Sequence, residues 1–327
     1  MINQPRTREE RNSAIDGLRF IAAICIVLLH TAGIALEATD NPILRVTTSV
    51  TYVALFVFFA VSGYLHGSTG GRGRAWLGRR AVRLGVPYAC WSAVFLGWTW
   101  VRGAAIPPIL KVIFFAGAHE VLWSLPMLIV CAVIVEMLVR TDRARVVFLL
   151  VCCIVAAASA VYSEALWVRL AEVRQFALGT RWVLVYCLGM QVRSMRRPQT
   201  FVHNIAGFAV VVAVLGWLGL QSDADYPVRL YRLLPTALFT AAAVLILLAA
   251  HSGRGPSALA RFQWGGRYLI GIYASHYLWL EIFATFVPVG NTAPLVWATL
   301  AWAFASSMAL GTSYALSRGR YTKALVG

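Results

Sequence analysis

The chain reads as an all-α fold, a polytopic transmembrane helical bundle of about ten helices with both termini in the cytoplasm. Three observations point that way. Of its 327 residues 60% are hydrophobic and only 13% are charged, where a soluble domain has roughly a quarter charged. Apolar windows near the roughly 20 residues that span a bilayer recur along the whole length. The basic residues, finally, are shared unevenly between the loops that join those windows.

The windows cover 14–36, 48–67, 85–101, 120–139, 146–165, 176–193, 203–221, 231–250, 266–287 and 294–316. The first is long enough to span and lacks a small-residue cleavage site, so it is expected to stay in the mature protein. Twenty of the 29 Lys and Arg fall on the side of the termini, eight on the other, and Arg19 lies inside the first window. The positive-inside bias then places both termini in the cytoplasm, and the chain is expected in the inner membrane. The same bias explains the net charge of +16 better than a nucleic-acid partner does. Cys25, Cys90, Cys131, Cys152, Cys153 and Cys187 sit in apolar stretches without metal-like spacing, so neither a disulfide framework nor a metal site is expected. With no soluble insert, long linker or strong repeat, residues 1–327 read as a single membrane domain.

Arg19 and His30 both fall in the first window, Arg19-Phe-Ile-Ala-Ala-Ile-Cys-Ile-Val-Leu-Leu-His30. Eleven positions make about three helical turns, so the two side chains share one face roughly 16 Å apart. Ionisable groups in lipid cost at least about 2.5 kcal/mol each and usually face a bundle interior or a water-filled path, where they mark function. A cation and an imidazole on one stripe point to a membrane enzyme or a transporter. Asp16 is placed to pair with Arg19 along the helix, and Gly17 leaves room for another backbone or a ligand. For Arg19 alone, an orientation anchor with a snorkelling side chain is an equal reading.

Phe58-Phe59-Ala60-Val61-Ser62-Gly63-Tyr64-Leu65-His66-Gly67 closes the second window, and its small residues suit tight helix packing. A basic run follows, in which Arg80 and Arg83 are one turn apart and expected to project together as a bidentate phosphate clamp beside Arg79. Arg72 and Arg74 read as ordinary positive-inside charge. His119-Glu120-Val121-Leu122-Trp123-Ser124, at the outer start of the fourth window, fits either an interfacial belt or a polar acceptor such as a sugar. The ninth window carries Tyr273 together with His276 and Glu281, and the latter two are rare intramembrane ionisable groups that serve function or hydrogen-bond across the bundle. Glu136, near the cytoplasmic end of the fourth window, reads as an interface charge.

In this order the pieces resemble the acyltransferase-3 family of integral membrane acyltransferases. They are Asp16-Gly-Leu-Arg19…His30, Phe58-Phe59-x-x-Ser62-Gly63-Tyr64-Leu65, Arg80-x-x-Arg83, Leu122-Trp123 and Gly271-x-Tyr273-x-x-His276. The most specific is the Arg19 and His30 pair, with ten residues between them as the family motif requires. The resemblance implies transfer of an acyl group, often acetyl, from cytoplasmic acyl-CoA to a hydroxyl on a glycan, a lipid-linked sugar or a secreted small molecule. It makes His30 the catalytic histidine and Arg19 the motif arginine, supported by Asp16. Arg79, Arg80 and Arg83 become the donor's phosphate ligands, and Ser62, Gly63 and Tyr64 the small-residue turn beside the acyl path. His119, Glu120, Trp123, Tyr273 and His276 would then meet the acceptor. Acyl-CoA is implied as co-substrate, with no permanently bound cofactor.

One departure matters. Many family members that modify surface polysaccharides carry an acidic pair soon after Trp-Ser-Leu, whereas this chain continues Trp123-Ser124-Leu125-Pro126-Met127-Leu128-Ile129. It is more similar to the branch with a His…Leu-Trp middle motif and no appended esterase-like domain, so the better-known branch does not supply the acceptor. An imidazole titrates near working pH and suits general-base help to the acceptor hydroxyl, worth about 10²–10⁴ in rate; an acyl-histidine intermediate is equally open. The competing class is a transporter or channel using Arg19, His30 and His276 as a proton or anion relay. Against it, the sequence lacks repeat symmetry and matched Gly/Pro-broken helices.

Overall fold

Ser13–Glu37 forms one unbroken helix, α1, and its apolar residues are buried around most of its circumference rather than along a single stripe. Ile15, Ala22, Ala23, Ile26, Val27, Leu29, Ala32 and Ala35 all lie in the core, which is the pattern of a helix surrounded by others. The computed structural model describes residues 13–68, 74–108, 112, 119–138, 171–194, 233–251, 257–320 and 322–326. Among these, α1 is followed by α2 (Pro42–Thr51), α3 (Val53–Ser68), α4 (Arg74–Val101), α5 (Ser124–Leu138) and α6 (Ala171–Ser194). Then come α7 (Leu233–His251), the short α8 (Ser257–Arg261), α9 (Leu269–Phe286) and α10 (Pro294–Arg318). Short 3₁₀ turns precede α5 and α9 and close the chain at Thr322–Leu325.

Among the described residues, four stretches are long and apolar enough to cross a membrane, namely Ser13–Glu37, Pro42–Gly67, Gln263–Phe286 and Pro294–Arg318. Val121–Glu136 and Leu238–His251 are shorter apolar helices. Eight of the ten predicted windows coincide with described helices, and the other two, 146–165 and 203–221, lie outside the described residues. The third window is extended: α4 begins at Arg74, because Arg79, Arg80 and Arg83 lower the hydropathy of its first turns without opposing helix formation.

The second window is cut in two. Asn41 caps α2 through its side chain, which accepts from the N–H groups of Ile43 and Leu44, and Pro42 follows at the first helical position. Further along, Thr48, Ser49 and Thr51 turn their hydroxyls back onto the carbonyls of Leu44, Arg45 and Thr47. Such back-bonding bends helices, and the regular pattern breaks at Tyr52 before α3 starts.

Around α1 pack α2, α3, α7, α8, α9 and α10. Within the shell, α3 pairs with α6 and α9 with α10, while α4 lies against α5 and α9. Small residues set these distances. A Cβ at Gly63 would come 1.8 Å from the carbonyl oxygen of Tyr186, and one at Gly189 would come 1.8 Å from that of Ala60, so α3 and α6 touch backbone to backbone. On α10 the buried stripe Trp297, Ala301, Ala305, Ala309 and Ser313 repeats every four residues. This is the small-residue seam by which helices associate where lipid supplies no hydrophobic drive.

Gly63→Ala should therefore force α3 and α6 apart and lower stability by about 1–3 kcal/mol, the cost of overpacking. Gly33→Ala, where a Cβ meets nothing within 4 Å, should leave the melting temperature in detergent unchanged or slightly raised. Thermal denaturation of the two variants side by side checks the pair.

Candidate active site

His30 lies well inside α1, and its ring faces α9. Its centroid is 5.3 Å from that of His276 and 5.4 Å, edge-on, from that of Tyr277. The helical-phase expectation that His30 points into the bundle thus has a concrete partner on the ninth window. His276 is fully buried and its orientation is fixed. Its Nδ1–H donates to the carbonyl of Tyr273 at 2.7 Å, with a longer contact to that of Ile272 at 3.2 Å. Carbonyls only accept, so Nδ1 carries the proton and Nε2 presents the lone pair. That Nε2 is buried and has no hydrogen-bond partner among the described residues. An orphaned acceptor in a buried site calls for an explanation beyond packing.

Tyr273 does something else. Its hydroxyl donates to the carbonyl of Val121 at 2.6 Å and its ring stacks on Phe58 at 5.3 Å, so it is a strut between α9, α3 and the turn before α5. In that turn, Trp123 stacks on Phe59 and lies 5.2 Å from Trp182. Trp123 is half-buried, with one part of its ring held against these aromatic neighbours. Glu120 opens the turn, and its side chain lies outside the described set.

From the histidine pair a line of polar groups leads to one end of the bundle. Tyr277 also approaches His119, centroid to centroid at 4.4 Å, and Phe95 stacks on that imidazole at 4.6 Å. His119 Nδ1 accepts the N–H of Val121 at 3.3 Å, which leaves the Nε2–H to face Glu281 at 3.5 Å. Glu281 meets Arg102 at 3.3 Å as well. The sequence marks Glu281 only as a rare intramembrane acid and does not single out Arg102. Pairing across α4, α9 and the turn before α5 depends on tertiary contact, which spacing along the chain does not encode.

At the other end, Arg19 donates to Asp16 at 3.2 Å, the pairing expected from their spacing. Gly17 is filled by backbone, since a Cβ there would lie 1.7 Å from the carbonyl oxygen of Leu259. The basic run on α4 does not form the expected clamp. Arg80 turns inward, its guanidinium 5.3 Å from the ring of Trp76 and 5.7 Å from that of Tyr186, and its Nε is buried with no partner among the described residues. Arg83 is exposed and lines a separate groove with Arg79. The two positions lie near each other on the helix, and it is the rings of Trp76 and Tyr186 that hold the Arg80 guanidinium apart from that of Arg83.

Ser62 bonds back to the carbonyl of Phe58, and Gly63 is occupied by the α3–α6 contact. Tyr64 is buried, accepting from Arg193 at 2.9 Å and donating to His251 Nδ1 at 2.9 Å. Next to it lies a cluster that sequence reasoning missed. His66 Nε2–H donates to Glu136 at 3.0 Å, while Tyr186 O–H donates to His66 Nδ1 at 2.7 Å. Trp76 stacks on the same imidazole at 4.2 Å. Glu136 is therefore the partner of a buried imidazole rather than an interface charge. The signal that could have found it is the coincidence of one buried acid and one histidine at the same end of two apolar windows.

An apolar helical bundle that buries an imidazole pair and leaves His276 Nε2 without a hydrogen-bond partner among the described residues defines a membrane protein with a chemically equipped interior. Residues 12–318 match the acyltransferase-3 family, an acyltransferase domain. The chain belongs to that family, a membership that supports a membrane acyltransferase and does not favour the transporter reading. No curated protein and no solved structure matches it.

His66→Ala should leave Glu136 and Tyr186 without a shared partner and cost about 1–3 kcal/mol for each buried group so exposed. His66→Gln, which can bond both, should recover part of the loss in the same unfolding assay.

Proposed function

We propose that this chain is an integral-membrane O-acyltransferase that moves an acyl group, acetyl foremost, from cytoplasmic acyl-CoA to a hydroxyl of a glycan, lipid-linked sugar or small secreted molecule of the cell envelope. The observation that carries the proposal is the His30 and His276 pair, with its buried, unsatisfied Nε2, inside a member of an acyltransferase family. In this reading ten helices cross the inner membrane, and the end of the bundle that carries Arg80 faces the cytoplasm. Arg80, the member of the basic run turned inward, meets the donor's phosphates, and the thioester reaches the level of His30. The acceptor enters past Arg102, Glu281 and His119 at the opposite end.

His30 takes the hydroxyl proton as the oxygen attacks the thioester carbonyl. The new C–O bond forms, the C–S bond breaks, and the proton passes from His30 to the departing thiolate. His276 Nε2 offers an acceptor for an O–H or N–H in the same space and so orients the reacting groups. Arg19, held by Asp16, keeps a cation on the face of α1 that leads to His30.

The test is release of free CoA from acetyl-CoA and longer acyl-CoAs by purified protein supplied with mixed envelope glycolipids. His30→Ala should lower turnover by about 10²-fold or more, with folding preserved. Equal turnover in both proteins would remove His30 as the base. His276→Asn should lower kcat while leaving the KM for acyl-CoA within about twofold, since its role lies at the reacting centre rather than in donor binding.

A further inference from the structure

Beyond Arg318, where the family match ends, the chain folds back and is tied down. Thr322 donates to the carbonyl of Leu316 at 2.6 Å, and the N–H of Lys323 to that of Gly319 at 3.1 Å. Val326 is buried against α9, where a Cβ on Gly271 would come 2.7 Å from its side chain. These contacts hold Arg320 and Lys323 against the first turns of α4. There, with Arg79 and Arg83, they line a groove of about 800 Å³.

The floor of the groove is apolar. Val82 and Val86 lie in it and are 63% and 39% exposed. Positions 79, 82, 83 and 86 share one helix face, which continues through Val94, 44% exposed, to Val101, 68% exposed. In a chain that spans a membrane, this is the face of α4 turned to lipid, with four cations gathered at one end of it. Positive-inside sorting asks only that basic residues lie in loops on one side. It does not require that cations from two distant parts of the sequence converge on an apolar trough. Arg80, on the same helix, is directed away from this groove and into the bundle.

We propose that this groove is a binding site for an anionic phospholipid. Its phosphodiester headgroup sits among Arg79, Arg83, Arg320 and Lys323, and an acyl chain runs along Val82 and Val86. Clustered cations between helices at a membrane face recognise anionic headgroups. Acyl-CoA would bring its phosphates to the same cations, but its thioester would then lie on the lipid side of α4, away from the His30 and His276 pair. The proposal rests on the membrane-spanning reading and is independent of acyl transfer.

The test uses the full-length protein in neutral detergent, titrated with phosphatidylglycerol or with phosphatidylcholine of the same chains. Native mass spectrometry reads the lipid retained. Wild type should hold phosphatidylglycerol at about tenfold lower concentration than phosphatidylcholine, and the R320Q/K323Q double variant should lose that preference. Arg45→Gln, an exposed basic change outside the groove, should keep it. Melting temperatures in lipid-free detergent confirm that the variants fold. CoA binding, measured in parallel, should be unchanged in R320Q/K323Q. If the double variant instead weakens CoA and spares phosphatidylglycerol, the groove belongs to the acyl donor and the lipid assignment is overturned. No change in either ligand overturns it too and leaves the cations as topology signals. A failure to detect acyl transfer would leave the lipid preference intact.

Discussion

Close approach of helix backbones is the constraint on which the rest of this structure depends. Where lipid and side chains are equally apolar, helices gain little from hiding hydrophobic surface and associate through van der Waals contact at small residues. Here those contacts are direct. Gly63 and Gly189 each meet a carbonyl of the opposing helix, and Gly17 meets that of Leu259. The alanine seam of α10 lets it lie along α1 and α9. Only with α1 enclosed in this way can His30 meet His276 rather than lipid.

Enclosure has a second effect, because every polar group carried into the bundle must then find a partner there. Most do. His66, Glu136 and Tyr186 satisfy one another, Tyr64 joins Arg193 to His251, and Tyr273 reaches the backbone of Val121. Indoles bridge helices as well, Trp279 to Thr312 and Trp302 to the carbonyl of Ile24. Against that background the exceptions stand out. His276 Nε2 and Arg80 Nε are among the buried nitrogens that find no partner among the described residues, one in the midst of the bundle and the other at one end.

Much of this was legible in the sequence, for physical reasons that also mark where legibility ends. Hydropathy located the apolar windows because a bilayer sets one length for all of them, yet it placed the start of α4 too late because arginines are good helix formers with poor hydropathy. Helical phase indicated that Arg19 and His30 share a face and that Asp16 reaches Arg19. It could not name the residue across from His30, since nothing in α1 records which helix will lie against it. The clamp expected from Arg80 and Arg83 failed for a related reason. One turn of separation brings side chains near each other, but the ring environment made by Trp76 and Tyr186 drew one of them inward. The His66, Glu136 and Tyr186 cluster draws on three separate helices, so no local pattern announces it.

The fixed ring of His276 has a consequence for proton accounting in the proposed reaction. Its Nδ1–H is committed to two backbone carbonyls that belong to its own helix, so the ring cannot flip without breaking bonds inside α9. The proton vacancy of the neutral ring therefore stays on a known atom, whatever molecule arrives. A site prepared in this way spends no reorganisation on finding the right tautomer at the moment of reaction. Selection among acceptors then falls to shape and reach, because the acid-base equipment is the same for each of them.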